Sequence, residues 1–118
     1  MNTPTLENQV AIVTGGARGI GRAIVHAFAA SGGDVVIADV LDADAERTAR
    51  EVADLTGRRV EFIRTDVTNF AAVQNLVEMT LTRFGRIDVL VNSVGWDHLQ
   101  PFVKTTPELW DKVLNINF

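Results

Sequence analysis

Three glycines at a fixed spacing and one aspartate carry most of the chemistry open to this sequence. Gly15, Gly19 and Gly21 stand in Thr14-Gly15-Gly16-Ala17-Arg18-Gly19-Ile20-Gly21, directly after the apolar run Val10-Ala11-Ile12-Val13. The run has no polar face and reads as a strand buried in a parallel sheet. After it, Ile20, Ala23, Ile24, Ala27 and Phe28 follow helical spacing. The glycines therefore occupy a strand-to-helix turn. Such a turn presents backbone N–H groups and the positive end of a helix dipole to an anion, commonly a phosphate. Gly15 lets the chain leave the strand sharply, Gly19 clears the approach of a diphosphate, and Gly21 lets the helix pack closely.

The spacing is G-x-x-x-G-x-G rather than the commoner G-x-G-x-x-G, so it is the strand–turn–helix context that points to a nucleotide. Asp39 closes the next apolar run, Val35-Val36-Ile37-Ala38. A dinucleotide-binding fold places there the acid that accepts hydrogen bonds from the adenosine ribose. A carboxylate at that point repels a 2′-phosphate and favours NAD over NADP. Arg18 argues the other way, but a charge at the ribose edge acts at contact distance, where it discriminates most.

The elements that must position these residues alternate strictly. Strands are expected at Val10 to Thr14, Val35 to Asp39, Val60 to Ile63 and Ile87 to Asn92. Helices are expected from Gly19 to Ala30, from Ala43 to Leu55 with Ala45, Thr48, Ala49 and Val52 inward, and after a cap at Thr68 or Asn69. The third helix carries Val73, Leu76, Val77, Leu81 and Phe84 at helical period, and Gly57 and Gly85 close the second and third helices. A last helix opens near Thr106-Pro107, and residues 1–8 read as a leader outside the fold. The order βαβαβαβα implies an α/β fold: a Rossmann-type doubly wound parallel sheet, three layers α/β/α, strand order 3-2-1-4. In it Thr14 to Gly21 and Asn92 to Gly95 face one another across a crevice at the carboxyl ends of the strands.

The string T-G-G-A-R-G-I-G resembles the cofactor loop (T-G-x-x-x-G-x-G) of the short-chain dehydrogenase/reductase family. The resemblance extends along the chain from about Leu6. It implies that Gly15, Ala17, Arg18, Gly19, Ile20, Gly21, Asp39 and Val40 line the cofactor, with Asp66 and Val67 at the adenine. Asn92-Ser93-Val94-Gly95 stands where the family usually shows N-N-A-G. Asn92 and Gly95 match and Ser93 and Val94 depart, and a serine hydroxyl cannot copy both functions of an amide. No general base is spaced beside Ser93, so a nucleophilic role is disfavoured. Trp110 to Asn117 resembles the family's helix ending in a catalytic asparagine, and the register from Trp110 gives Asn117 that role. Gly95-Trp96-Asp97 with Pro101-Phe102 looks like the string in dehydrogenases of alicyclic hydroxyacyl-CoA thioesters, which implies a substrate of that kind.

Family members exchange a hydride between NAD(P)H and a carbonyl–alcohol pair, using a Y-x-x-x-K pair and a serine. These 118 residues contain no tyrosine. The chain accordingly reads as a single cofactor-binding domain over residues 1–118, the N-terminal part of an enzyme, cut inside a helix, without the catalytic and substrate part and inactive alone. The resemblance also implies a small alcohol or ketone substrate and a homotetrameric parent. A non-catalytic nucleotide-binding module, or an interaction fragment pairing through strand four, remains the competing reading; a serine and Y-x-x-x-K further along the chain would select the enzyme.

Composition narrows the partners. A net charge of −4 without a basic stripe argues against nucleic acid. There is no cysteine for a disulfide or thiolate site, and His26 and His98 are too far apart to suggest a metal. No apolar stretch reaches membrane-span length and no signal pattern opens the chain, so a cytoplasmic protein is expected.

Overall fold

The computed structural model describes residues 6–93. The readings placed at Val94, Gly95, Trp96 to His98, Thr106-Pro107 and Trp110 to Asn117 lie outside the described residues. The elements run β1 (Val10–Thr14), α1 (Gly19–Ala30), β2 (Asp34–Asp39), α2 (Asp42–Thr56), β3 (Val60–Arg64), α3 (Phe70–Phe84) and β4 (Val89–Asn92). The strands form one parallel sheet in the order β3-β2-β1-β4, as the alternation requires. Thr14 lies level with Ala38 on one side and Asn92 on the other, while Asp39 lies level with Arg64. All strands therefore end along one edge of the sheet.

Side chains alternate across a strand, so an apolar strand between two helical layers fills both. Ala11, Val13, Val35 and Ile37 pack with Val25, Phe28 and Ala29 of α1 and with Ala45, Ala49 and Val52 of α2. Ile12, Val36, Ala38 and Ile63 face the other way, onto Val73, Leu76 and Val77 of α3. Asn69 caps α3, its side chain accepting from the Ala72 N–H at 3.0 Å. Gly57 and Gly85 end α2 and α3 with left-handed φ values of 69° and 83°. Among the described residues no helix is long and apolar enough to cross a membrane.

Three expectations shift. The stripe Ile20, Ala23, Ile24, Ala27, Phe28 marks a helix but not its buried face. Gly21, Val25, Phe28 and Ala29 are buried, whereas Ile20 is 77% exposed. Both stripes of α1 are apolar, and the glycine lets the helix turn its Gly21 side inward. Leu6 belongs to the fold rather than to a leader, since its N–H donates to Ser31 O at 3.1 Å and it packs on the α1–α2 core. β4 pairs only from Val89, yet Ile87 is buried and the Asp88 N–H donates to Val10 O at 2.8 Å, so the approach to β4 is fixed as well.

Candidate functional site

At the carboxyl ends of the strands a cleft of about 430 Å³ is lined by Gly15, Arg18, Ala38, Asp39, Val40, Leu41, Thr65, Asp66, Val67 and Ser93. Parallel strands ending level supply its floor, and the loops after β1, β2 and β3, with Ser93 after β4, supply its walls. This is the topological switch point of a doubly wound sheet, with β1 between β2 and β4.

The glycine turn is built tightly. Gly15 (φ 67°) and Gly19 (φ 63°) take the left-handed conformation that a side chain disfavours. Around Gly19 the space where a Cβ would stand is open, with nothing within 4 Å. Gly21 is closed: a Cβ there would stand 2.0 Å from Gly15 O and 2.5 Å from Ser93 Oγ. Its bareness thus serves the turn's own carbonyl and the end of β4 rather than the strands beneath. Gly16, which the sequence pattern leaves as a free position, is buried with its Cβ direction 3.0 Å from a Val25 methyl.

The start of α1 is electrostatically open. Arg18 stands at the N-cap without a side-chain hydrogen bond, and the first turn holds no acid. The opening N–H groups of a helix have no intrahelical acceptor, so this end offers donors and a positive dipole. By contrast, α3 is capped by Asn69, and α2 carries Asp42 and Asp44 in its first turn.

Asp39 ends β2 against this turn. Its Oδ2 accepts from the Ala17 N–H at 3.1 Å, and its Oδ1 accepts from Val40 N–H at 2.7 Å and Leu41 N–H at 3.1 Å. A carboxylate offers about four acceptor positions, so Oδ2 keeps one for a ligand hydroxyl. Asp66 shapes its own loop: Oδ1 accepts from the Thr68 N–H at 2.9 Å and the Thr68 hydroxyl at 2.6 Å. Val67 is buried against the α3 core.

β1 and β4 are locked where they meet the cleft. The Thr14 hydroxyl donates to Asn92 Oδ1 at 2.8 Å and accepts from the Ser93 N–H at 3.2 Å. The Ser93 hydroxyl donates to Thr14 O. That proton is committed to a backbone carbonyl, in keeping with a structural rather than nucleophilic serine.

The structure thus brings Gly15, Arg18, Asp39, Val40, Asp66, Val67 and Ser93 to one cleft. Ala17, Gly21 and Asn92 stand behind its wall as supports, and Ile20 is exposed. Gly19 borders a separate hollow with Arg22, His26, Glu51 and Leu55. Sequence reasoning missed Ala38, Leu41 and Thr65. The register finds Thr65, which follows the Asp39–Arg64 pair and donates its N–H to Asp39 O at 2.9 Å.

Comparison with known proteins bears on the family and the fold. The family described as short chain dehydrogenase matches residues 9–118. The chain is 38% identical over 112 residues to (2S)-[(R)-hydroxy(phenyl)methyl]succinyl-CoA dehydrogenase subunit BbsD of Thauera aromatica, covering 95% of this chain and 45% of that protein. A short chain dehydrogenase/reductase from Burkholderia phymatum in complex with NAD is 36% identical, with a TM-score of 0.69 over 72% of this chain and 30% of that one. L-sorbose reductase from Gluconobacter frateurii, complexed with NADPH and L-sorbose, is 26% identical, with a TM-score of 0.83 over 96% of this chain and 49% of that one. The chain spans less than half the length of these curated relatives.

Proposed function

The chain belongs to the short chain dehydrogenase family, and from that premise we propose that it forms the cofactor-binding half of an NAD-dependent oxidoreductase. What carries the reading is the convergence of Gly15, Arg18, Asp39, Asp66 and Ser93 on one cleft beside an uncapped helix start. The opening N–H groups of α1 hold the diphosphate, and Gly19, with nothing within 4 Å of where a Cβ would stand, leaves its approach unobstructed. Asp39 Oδ2 accepts from a ribose hydroxyl, and its charge turns away a 2′-phosphate. Asp66 and Val67 border the adenine, and Ser93 lies on the ribose and nicotinamide side. The bound cofactor supplies or accepts the hydride.

The substrate is a secondary alcohol or the corresponding carbonyl compound, and a hydroxyacyl-CoA thioester is one candidate within that class. The proton moves through a tyrosine that these 118 residues do not contain; a general acid must lie within hydrogen-bond reach of the reacting oxygen. The segment by itself is therefore inactive. Asn117 takes part in the proton path, and the working enzyme is a cytoplasmic homotetramer. Calorimetric titration of the full-length protein with NAD and with NADP tests the reading. Saturable uptake with NAD tighter is expected; no uptake of either overturns it, and tighter NADP overturns the role given to Asp39.

A further inference from the structure

Among the described residues three threonines sit inside helices with buried or partly buried hydroxyls, and one behaves differently. Thr56 donates to Val52 O and Thr80 to Leu76 O, each at 2.7 Å and each one turn back in its own helix. That is the ordinary satisfaction of a helical threonine. Thr48, 1% exposed in α2, instead donates across the structure to Ala17 O at 2.7 Å. The Ala17 N–H, on the preceding peptide, is held by Asp39 Oδ2 at 3.1 Å. The glycine turn is thus gripped on consecutive peptides by two side chains from different elements.

The grip on the carbonyl has a directional consequence. A trans peptide is planar, and its N–H points opposite to its C=O. With Ala17 O drawn into the core toward α2, the Arg18 N–H is sent the other way, off that core. We propose that Thr48 is a positioning residue for the cofactor. Its hydroxyl fixes the Ala17–Arg18 peptide so that the turn offers an N–H, and not a carbonyl, to the diphosphate. This rests on the nicotinamide-cofactor reading above. Freed of Thr48, the carbonyl is a buried acceptor without a partner, and rotation of the peptide toward water becomes its relief. That rotation sets a carbonyl oxygen, carrying negative partial charge, against an anion.

The test compares the full-length protein with Thr48→Val, Thr48→Ser and Thr80→Val. The last loses an equally buried hydroxyl on α3, whose bond stays within its own helix. Dissociation constants for NAD and for ADP-ribose are read by calorimetry, with urea midpoints alongside. Thr48→Val is expected to weaken both ligands roughly tenfold, Thr48→Ser to stay within about twofold of wild type, and Thr80→Val to lose stability without losing affinity. Unchanged affinity in Thr48→Val, equal weakening in Thr48→Ser, or equal weakening in Thr80→Val overturns the proposal while leaving the cofactor reading intact. Absence of NAD binding in the wild type overturns both. Should Thr48→Val not fold, the wild type decides by NMR. The Thr48 hydroxyl proton is expected to be protected from solvent exchange with and without NAD, and a rapidly exchanging one overturns the proposal.

Discussion

Gly21→Ala puts the tightest contact of the site under direct load. The added methyl would stand 2.0 Å from Gly15 O, 2.7 Å from the Gly15 carbonyl carbon and 2.5 Å from Ser93 Oγ, where ordinary contact begins at 3.4 Å. Two of those three atoms are backbone and cannot rotate aside. Ser93 is little freer, because its hydroxyl and N–H both bond Thr14. The turn and the start of α1 must therefore separate by about an ångström. Overpacking of this kind costs about 1–3 kcal/mol, offset by up to about 1 kcal/mol from alanine's better helix propensity. Gly57→Ala, at the end of α2 and away from the cleft, is the matched control. It meets open space but must hold φ at 69°, a strain of about 1–2 kcal/mol without any displacement of neighbours. In the full-length protein both variants should lower the urea midpoint at unchanged slope. Only Gly21→Ala should also move the donors, and a misplacement of about 1 Å is worth about a hundredfold in a positioned site. NAD affinity that falls as far in Gly57→Ala as in Gly21→Ala would refute the argument that Gly21 sets the turn's position.

Asp39→Ala removes the acceptor of three N–H groups and the charge that faces a 2′-phosphate. NAD affinity should fall about tenfold to a hundredfold, with the NADP-to-NAD preference moving toward NADP in a paired titration. Asp88 supplies a pH dependence. Burial pushes its carboxyl up, but hydrogen bonds from Arg86 and the Val10 N–H, together with the Arg86 charge, outweigh burial and hold it below the usual carboxylate range. A lowered folded-state pKa stabilises the protein above the unfolded carboxylate's pKa, and this contribution drains away as pH falls through the folded value. Urea midpoints measured from neutral to acidic pH should therefore drop less steeply in Asp88→Ala than in wild type. The same variant should already be about 1–3 kcal/mol weaker at neutral pH, because the buried Val10 N–H loses its acceptor. Asn69→Ala removes the cap on Ala72 N–H and should cost about 0.5–2 kcal/mol by urea unfolding without altering NAD affinity.

What the sequence discloses here is whatever repeats or punctuates. Ala45, Thr48, Ala49 and Val52 show the buried stripe of α2 because Asp, Glu and Arg fill its other side. Asn69, Gly57 and Gly85 announce helix ends because their side chains, or lack of them, solve a local hydrogen-bonding or φ problem. The buried face of α1 is hidden for the opposite reason. Its two stripes are both apolar, and the choice between them falls to Gly21, whose fit depends on Gly15 and on Ser93 from a distant strand. Gly16 looks optional in the motif, yet it sits under Val25 and Ile37. Asp39 could be placed at the cleft from its register, whereas its bonds to Ala17, Val40 and Leu41 depend on loop geometry that periodicity does not encode.

The same contacts explain why the turn can serve a ligand without first being ordered by it. Gly15 N–H is held by Ala38 O of β2 at 2.8 Å, Ala17 N–H by Asp39, and Ala17 O by the Thr48 hydroxyl. Gly21 wedges the first turn of α1 against Gly15 and Ser93, and Ser93 is tied back to Thr14 at the end of β1. The restraints come from β2, from α2 and from the end of β4, so no local fluctuation releases the turn without breaking a contact to the sheet or to α2. Fixing one backbone residue costs about 1–2 kcal/mol of conformational entropy. Folding has already met that cost over Gly15 to Ala17. The contacts made by the opening N–H groups of α1 therefore appear in binding undiminished by ordering of the turn. The exposed Arg18 side chain and Ile20, by contrast, remain to be ordered when a ligand arrives. Substitutions at the restraints should accordingly change affinity more than substitutions at these two exposed side chains.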